Sequence, residues 1–420
     1  MTTDHKAVFG PFTLNLASDC LFRDGAEVPL RPQALRVLRA LVVQGGLYLD
    51  HPQMIRQAWD GTQVSKHTIT VTISEVKRAL GQYSSWITCH PKLGYCLEVP
   101  DSEEMLRFGW HHMNRRTREG LEKAVRIFEQ AALAGAQGRA LEGASRAYLM
   151  LGTFGMWSPE ASYPKFLTAH ERVVELRGYN PEMRVDRGLG YCVFERRFDA
   201  AEEQMLLALA EQPKLGSAYT HLSVLYLAWR RPEKALEMLQ AARAADALQA
   251  ELALAEIMVR FCGRDYVGAQ QYGSKMLELH PHFPAAIIFY AATLEALGRF
   301  EEALEQYHMV CMLAPDMPWY RALEAACFAK AGQTNRARTI LMYLEKVRET
   351  DYVDGFHMSL LMHALGRTDD AFAELERAYR EGCTTLSLMD VDPKVDALRG
   401  DPRFTILRNK LFPHDSAVAS

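Results

Sequence analysis

The spacing of apolar residues changes character near residue 100. Between Phe9 and Leu21 apolar and polar residues alternate among β-forming types, the pattern of a strand with one buried face. Asp24-Gly25 is a turn signal, and Val28-Pro29-Leu30 follows it. From Ala34 the period lengthens: Ala34, Leu35, Val37, Leu38, Leu41 and Val42 share one helical face, and Gly45-Gly46 stops that helix. A second helix is expected from Pro52 to Trp59 and a third from Ser65 to Leu80, stopped by Gly81. On the third, Ile69, Ile73, Val76 and Leu80 make one apolar stripe for the core. A hairpin from Trp86 to Val99, with Gly94 near its turn, completes this part.

The remaining three-quarters is repetitive. Ala201, Ala235, Ala269, Ala303, Ala337 and Ala371 are each 34 residues apart. Gly298, Gly332 and Gly366 keep the same step, as do Pro281 and Pro315. A period of 34 is the mark of the tetratricopeptide repeat, a pair of antiparallel helices stacked on the next pair. The Ala belongs where helices cross closely, the Gly where the first helix ends left-handed, and the Pro where the second helix stops. Six units are phased from about 182 to 383. Gly120 to Ala131 resembles the second helix of another unit, and residues 139–178 form a looser pair interrupted at Trp157-Ser158-Pro159.

Composition narrows the function classes. The chain has 420 residues, 49% hydrophobic and 24% charged, which suits more than one globular unit. Residues 1–100 carry 10 Lys and Arg against 8 Asp and Glu; the rest carry 38 against 44. Nucleic-acid contact is therefore expected from the N-terminal part, with a small basic surplus. The first residues lack a basic segment followed by an apolar run, and the most apolar window, Pro284 to Leu294, is too short to span a bilayer. The eight Cys form no CxxC pair. A cytoplasmic protein without membrane contact, metal or cofactor is expected. No phosphate-binding Gly loop, HExxH or GxSxG occurs, so no enzyme is expected.

The N-terminal part resembles the OmpR/PhoB-type winged helix, also found in ToxR-like regulators, over nearly all of residues 7–99. The matching elements run in order: Leu21-Phe22-Arg23-Asp24-Gly25 before Val28-Pro29-Leu30, then Tyr48-Leu49-Asp50-His51-Pro52, Ile55 and Ala58-Trp59. Val64-Ser65-Lys66-His67-Thr68-Ile69 opens the third helix, Val76-Lys77-Arg78-Ala79-Leu80-Gly81 closes it, and Ile87 to Tyr95 reads as the wing. The resemblance implies that the third helix enters the major groove and the hairpin touches the adjacent minor groove. Two departures stand out. Glu75 occupies a place often basic in that family and would repel phosphate; Cys96 follows Gly94-Tyr95 where Arg is usual. Neither a receiver domain before the winged helix nor a membrane helix after it is read in the sequence, and the layout resembles HilA-like regulators. The tail from Val391-Asp392-Pro393 to Phe404 resembles that of other regulator-associated repeat arrays and is expected to cap the final helix pair.

The expected fold class is an α+β winged helix-turn-helix domain followed by an all-α tetratricopeptide-type superhelical array. Its parts are a DNA-binding domain over 1–103, a linker and irregular first repeats over 104–182, repeats over 183–383, and a C-terminal cap and tail over 384–420. Lys66, His67, Thr70, Ser74, Lys77 and Arg78 lie off the apolar stripe of the third helix, and Lys92 lies in the wing. Hydroxyls can reach base edges and cations can neutralise phosphate, so these are the candidate DNA contacts. The plain alternative is a solvated polar face. In the repeats, Val224, Leu227, Leu254, Met258, Phe261, Ile288 and Trp319 are phased toward the concave surface, where a protein partner, a small ligand or simple core packing would suit them. The Asn/Lys/Arg clamp of chaperone-adaptor repeats is not visible in this phase. Cys89 and Cys96 flank the wing turn, either as two buried thiols or, if they face each other, as a redox pair. His111-His112 and His280-Pro281-His282 read as surface or linker residues. The function expected is a sequence-specific DNA-binding transcription regulator, with the repeats as partner, ligand or oligomerisation module. The alternative is an interaction adaptor whose winged helix has lost DNA binding. Given the departures at Glu75 and Cys96, binding would lean on a homodimer or on RNA polymerase contacts.

Overall fold

The computed structural model describes residues 6–16, 18–23, 25–44, 47–99, 102–132, 136–245 and 250–412. Asp24 of the expected turn and the Gly45-Gly46 helix stop lie outside them. The chain divides into two compact units, Met1–His111 with Arg126–Gly143 and His112–Val125 with Ala144–Ser420.

In the first unit the alternating segment breaks into short strands rather than one long one. β1 (Lys6–Phe9), β2 (Phe12–Asn15), β3 (Cys20–Arg23) and β4 (Ala26–Val28) form an antiparallel sheet in chain order. Phe12, Leu14 and Leu21 point into the core, as the period of two requires. Three helices follow: α1 (Pro32–Val43), α2 (His51–Ala58) and α3 (Lys66–Leu80). The start of α2 is fixed by a capping box: the Asp50 carboxylate accepts from Gln53 N at 2.7 Å, and the Gln53 side chain accepts from Asp50 N at 2.9 Å. The start of α3 is fixed by Ser65, whose hydroxyl accepts from Thr68 N. Ile69, Ile73, Val76 and Leu80 are all buried and join Leu38, Leu41, Phe12 and Trp86 in one core.

The wing is a hairpin of β5 (Ile87–His90) and β6 (Gly94–Leu97). Leu49, from the connection between α1 and α2, adds a third edge: its N–H donates to Tyr95 O at 2.7 Å and its carbonyl accepts from Tyr95 N at 3.0 Å. Gly94 is required there twice over. Its φ is +100°, and a Cβ would fall 1.9 Å from Leu49 O.

The second unit is helical. α5 (Arg118–Ala131), which belongs in part to each unit, follows α4 (Ser102–Met113), and then come α6 (Gln137–Thr153) and α7 (Pro159–Arg177), separated at Trp157-Ser158 as the sequence suggests. Six regular pairs follow. They are α8 (Pro181–Gly190) with α9 (Phe198–Glu211), α10 (Gly216–Ala228) with α11 (Pro232–Ala245), and α12 (Ala250–Cys262) with α13 (Tyr266–Leu279). Then come α14 (Pro284–Ala296) with α15 (Phe300–Leu313), α16 (Pro318–Lys330) with α17 (Thr334–Val347), and α18 (Gly355–Ala364) with α19 (Thr368–Arg380). The six phased alanines sit in the second helices and are fully buried. First helices touch from α8 to α10, α10 to α12, α12 to α14 and α16 to α18, and residues of all six line one inner cavity.

Gly298, Gly332 and Gly366 follow the first helices of the last three pairs at φ of +76°, +79° and +75°. Counting back by 34 gives Arg264, Arg230 and Arg196, which hold the same left-handed turn at +62°, +55° and +53°. A non-glycine residue there is strained by roughly 1–3 kcal/mol. All three arginines meet one C-terminal segment. Arg196 donates to Cys383 O at 2.9 Å, Arg230 lies 3.2 Å from Asp390, and Arg264 donates to both Asp396 oxygens at 2.8 and 3.0 Å. Of the tail expected to cap the last pair, α20 (Pro402–Leu411) packs on α19, whereas residues 383–399 run past these three earlier pairs. The array also meets its own beginning: Trp319 Nε1 donates to Phe154 O at 3.2 Å, and Arg118 holds Asp351 through bonds of 2.6 and 3.1 Å.

Ala303→Leu should lower the unfolding midpoint, with a loss of roughly 1–3 kcal/mol from overpacking between α14 and α15; a wild-type midpoint in calorimetry would deny the close crossing. Gly94→Ala should destabilise the first unit by about 1–3 kcal/mol through left-handed strain and the clash with Leu49. Hydrogen exchange at the Leu49 and Tyr95 amides reads this directly, and unchanged protection would refute the bridge.

Candidate nucleic-acid interface and repeat cavity

Because α3 spends one stripe on the core, the other side is left to solvent. Lys66, His67, Thr70, Ser74 and Arg78 are exposed there and Lys77 is half-buried. Thr70 Oγ1 donates to Lys66 O at 3.0 Å, and Ser74 Oγ donates to Thr70 O at 2.8 Å. Each hydroxyl thereby spends its proton on the helix and keeps acceptor lone pairs outward. Thr70 Oγ1 also lies 3.2 Å from the Tyr95 hydroxyl, which ties the face of α3 to the wing. Tyr95 was visible in the sequence only as part of the wing; its contact depends on β6 crossing beside α3. Lys92 is exposed in the wing turn next to Leu93, itself half exposed.

The repulsion expected from Glu75 is corrected. Its carboxylate receives two hydrogen bonds from Arg31, the residue just before α1, one of them 2.7 Å from Nε. These bonds hold the carboxyl below its ordinary range. An ion pair faces the solvent where a bare negative charge was expected, and 44 residues of sequence separate the partners. Cys89 and Cys96 do not face each other as a redox pair would, and of the two thiols expected to be buried only Cys96 is. Cys89 stands opposite Tyr95 and Cys96 opposite Thr88, so the two thiols are one register apart and point to opposite faces. Cys89 is exposed and Cys96 buried, and burial pushes the Cys96 thiol up.

In the second unit the inner face surrounds a cavity of about 470 Å³. Val224, Leu254, Met258, Ile288 and Trp319 line it. Leu227 and Phe261 do not: Phe261 is buried against Tyr266 and Phe289, beneath the Lys394 ammonium 5.2 Å away. The C-terminal segment supplies part of the wall through Thr384, Thr385, Ser387, Leu388, Asp392 and Lys394, none of which the repeat phase could reveal. Thr385 donates to Asp354 at 3.3 Å, and Thr384 donates to the carbonyl of Thr153 at 3.3 Å. Asp354 is fully buried. Burial favours its neutral form, but His357, stacked on Trp319 at 4.4 Å, and the hydrogen bonds from Cys383 and Phe356 outweigh that and hold it below the usual range.

Comparison with known proteins follows the same division. Residues 25–97 match the family described as "Transcriptional regulatory protein, C terminal", and residues 264–327 match the tetratricopeptide repeat family. Over 76 residues, 18% of the chain, it is 34% identical to the transcriptional regulatory protein CutR of Streptomyces coelicolor, and equally to that of Streptomyces lividans. The chain spans 35% of the length of these relatives. Among solved structures, the human IFIT1 dimer with PPP-AAAA is similar at a TM-score of 0.51 and 15% identity, over 75% of this chain and 80% of that one. The APC/C hetero-tetramer Cut9–Hcn1 is similar at 0.51 and 12% identity, over 86% and 62%. At such identities these likenesses concern the fold. The chain thus carries an OmpR/PhoB-type winged helix of the transcriptional regulatory protein C-terminal family at its N-terminus and tetratricopeptide repeats in its C-terminal part.

Proposed function

We propose that this protein is a cytoplasmic, sequence-specific DNA-binding transcription regulator whose repeats receive the signal. The observation that carries the reading is the exposed hydroxyl and basic face of α3 beside the wing, inside the region that matches the regulatory family. Lys66, Lys77, Arg78 and the wing's Lys92 neutralise phosphates; His67, Thr70 and Ser74 present groups to base edges. Held by Arg31, Glu75 does not set a bare charge against the backbone. The CutR relatives are named as transcriptional regulators, which supports the same class over the shared 76 residues.

A surplus of two positive charges in residues 1–100 is modest for a monomer on DNA. Two copies on paired half-sites, or contact with RNA polymerase, supply the rest. Among the described residues no helix is long and apolar enough to cross a membrane. The rival adaptor reading predicts no salt-dependent binding to any duplex.

Anisotropy titrations of the full chain on promoter-derived duplexes at several salt concentrations test the reading. Affinity should fall steeply as salt rises; a flat response, or no binding, favours the adaptor. Lys77→Ala should weaken the best duplex and a scrambled one equally and flatten the logarithmic salt slope by ~1. Thr70→Ala and Ser74→Ala should instead change the ratio between the two duplexes, by about 1–3 kcal/mol for each lost base contact, and leave the slope intact. An unchanged ratio in both variants would remove α3 from the role of recognition helix.

A further inference from the structure

The cavity of the repeat unit contains polar groups that nothing in the protein answers. Thr220, on α10, is 3% exposed and lines the cavity, yet its Oγ1 has no hydrogen-bond partner. Thr153 Oγ1, also on the cavity wall, is buried and unpaired in the same way. Buried hydroxyls are normally paired, because an unpaired one keeps the full cost of leaving water. The surface around them is apolar, formed by Val224, Leu254, Met258 and Ile288.

The charges on the wall narrow the ligand further. Arg116 is paired with Glu251, Arg146 with Asp186 at 2.9 Å and Glu182 at 3.1 Å, and Lys394 with Asp392 at 2.9 Å. Arg116 keeps Nη1 unpaired, but the three cations of the wall stand among five carboxylates, Glu182, Asp186, Glu251, Asp354 and Asp392, so an anionic ligand would meet a surplus of negative charge in a poorly hydrated place, which is costly. Size narrows it too. About 470 Å³ suits a small molecule. Residues 383–399, anchored by Arg196, Arg230 and Arg264, already occupy the inner face along three pairs, so a peptide laid along that face would first have to expel them.

We propose that this cavity binds one small, uncharged, mostly apolar molecule carrying a hydrogen-bonding group that meets Thr220, with the C-terminal segment as one wall of the site. The inference rests on the reading of the repeats as the signal-receiving module and names the class of signal. The three arginines fit it: the strain of their left-handed turns is offset by fixing the wall that encloses the ligand.

The test uses the full-length protein and N-phenyl-1-naphthylamine, an uncharged apolar fluorophore with one N–H. Its fluorescence should rise saturably with one site per chain and a Kd on the order of 10 µM. Anilinonaphthalene sulfonate, of similar bulk but anionic, should bind about tenfold more weakly or worse. Leu254→Trp and Val224→Phe each fill the cavity and should weaken the probe about tenfold at unchanged helicity; the second position keeps the test decisive where the first variant does not fold. Thr220→Val should weaken it by about threefold to tenfold, the effect of one hydrogen bond. Joint replacement of Arg196, Arg230 and Arg264 by Gly keeps the left-handed turns, frees the segment and should weaken the probe about tenfold. The proposal is overturned by a lack of saturable binding to wild type, or by wild-type affinity in the folded filling variants. Tighter binding of the sulfonate overturns the uncharged class, and wild-type affinity in the Gly variant overturns the role of the segment. The titration contains no DNA, so its failure leaves the winged-helix reading standing, and loss of DNA binding alone leaves the ligand site standing.

Discussion

Two helices can approach closely only where the residue between them is small, and the repeat unit is built on that contact. The six buried alanines set it once every 34 residues. Each close crossing fixes how a second helix lies on its first helix, and the repetition aligns the first helices into one inner face. The accumulated rotation from pair to pair brings Trp319 back against Phe154. A cavity follows from that closure. It belongs to no single repeat, and its wall draws on helices from one end of the array to the other.

The turn after each first helix is the second constraint. Left-handed backbone favours glycine, and three pairs use it. The other three place arginine there, accept the strain, and use the long side chain to reach Cys383, Asp390 and Asp396. Residues held in sparsely populated backbone regions need surrounding structure that over-determines them. Here bonds from the guanidinium groups to one segment provide it, so the strain and the C-terminal path explain each other. The segment forms only two short 3-10 helices, Thr384–Leu388 and Pro393–Leu398, and its path answers to the surface it lies on.

The winged helix shows the same division of labour on a smaller scale. Its core stripe on α3 is local, four residues on one helix. The face presented outward is shaped by partners from elsewhere: Arg31 covers the charge of Glu75, and Tyr95 reaches Thr70 from the wing. Both change the chemistry offered to a phosphate or a base without changing a residue of the helix. The wing in turn depends on Leu49 bridging Tyr95, which Gly94 alone makes room for.

What the sequence by itself determined is therefore what repeats or alternates within a short span. The helices of the winged domain, the hairpin, the alanine phase and the glycine turns all follow from periods of two, 3.6 or 34 residues, which are visible along one line of sequence. Only the tertiary structure decided the pairing of Glu75 with Arg31, the register that sends Cys89 and Cys96 to opposite faces, the burial of Phe261 away from the cavity, and the path of residues 383–399. The physical reason is the same in each case. These are contacts between segments distant along the chain or one step apart in strand register, set by how elements pack and twist, and nothing periodic in the residues themselves records them.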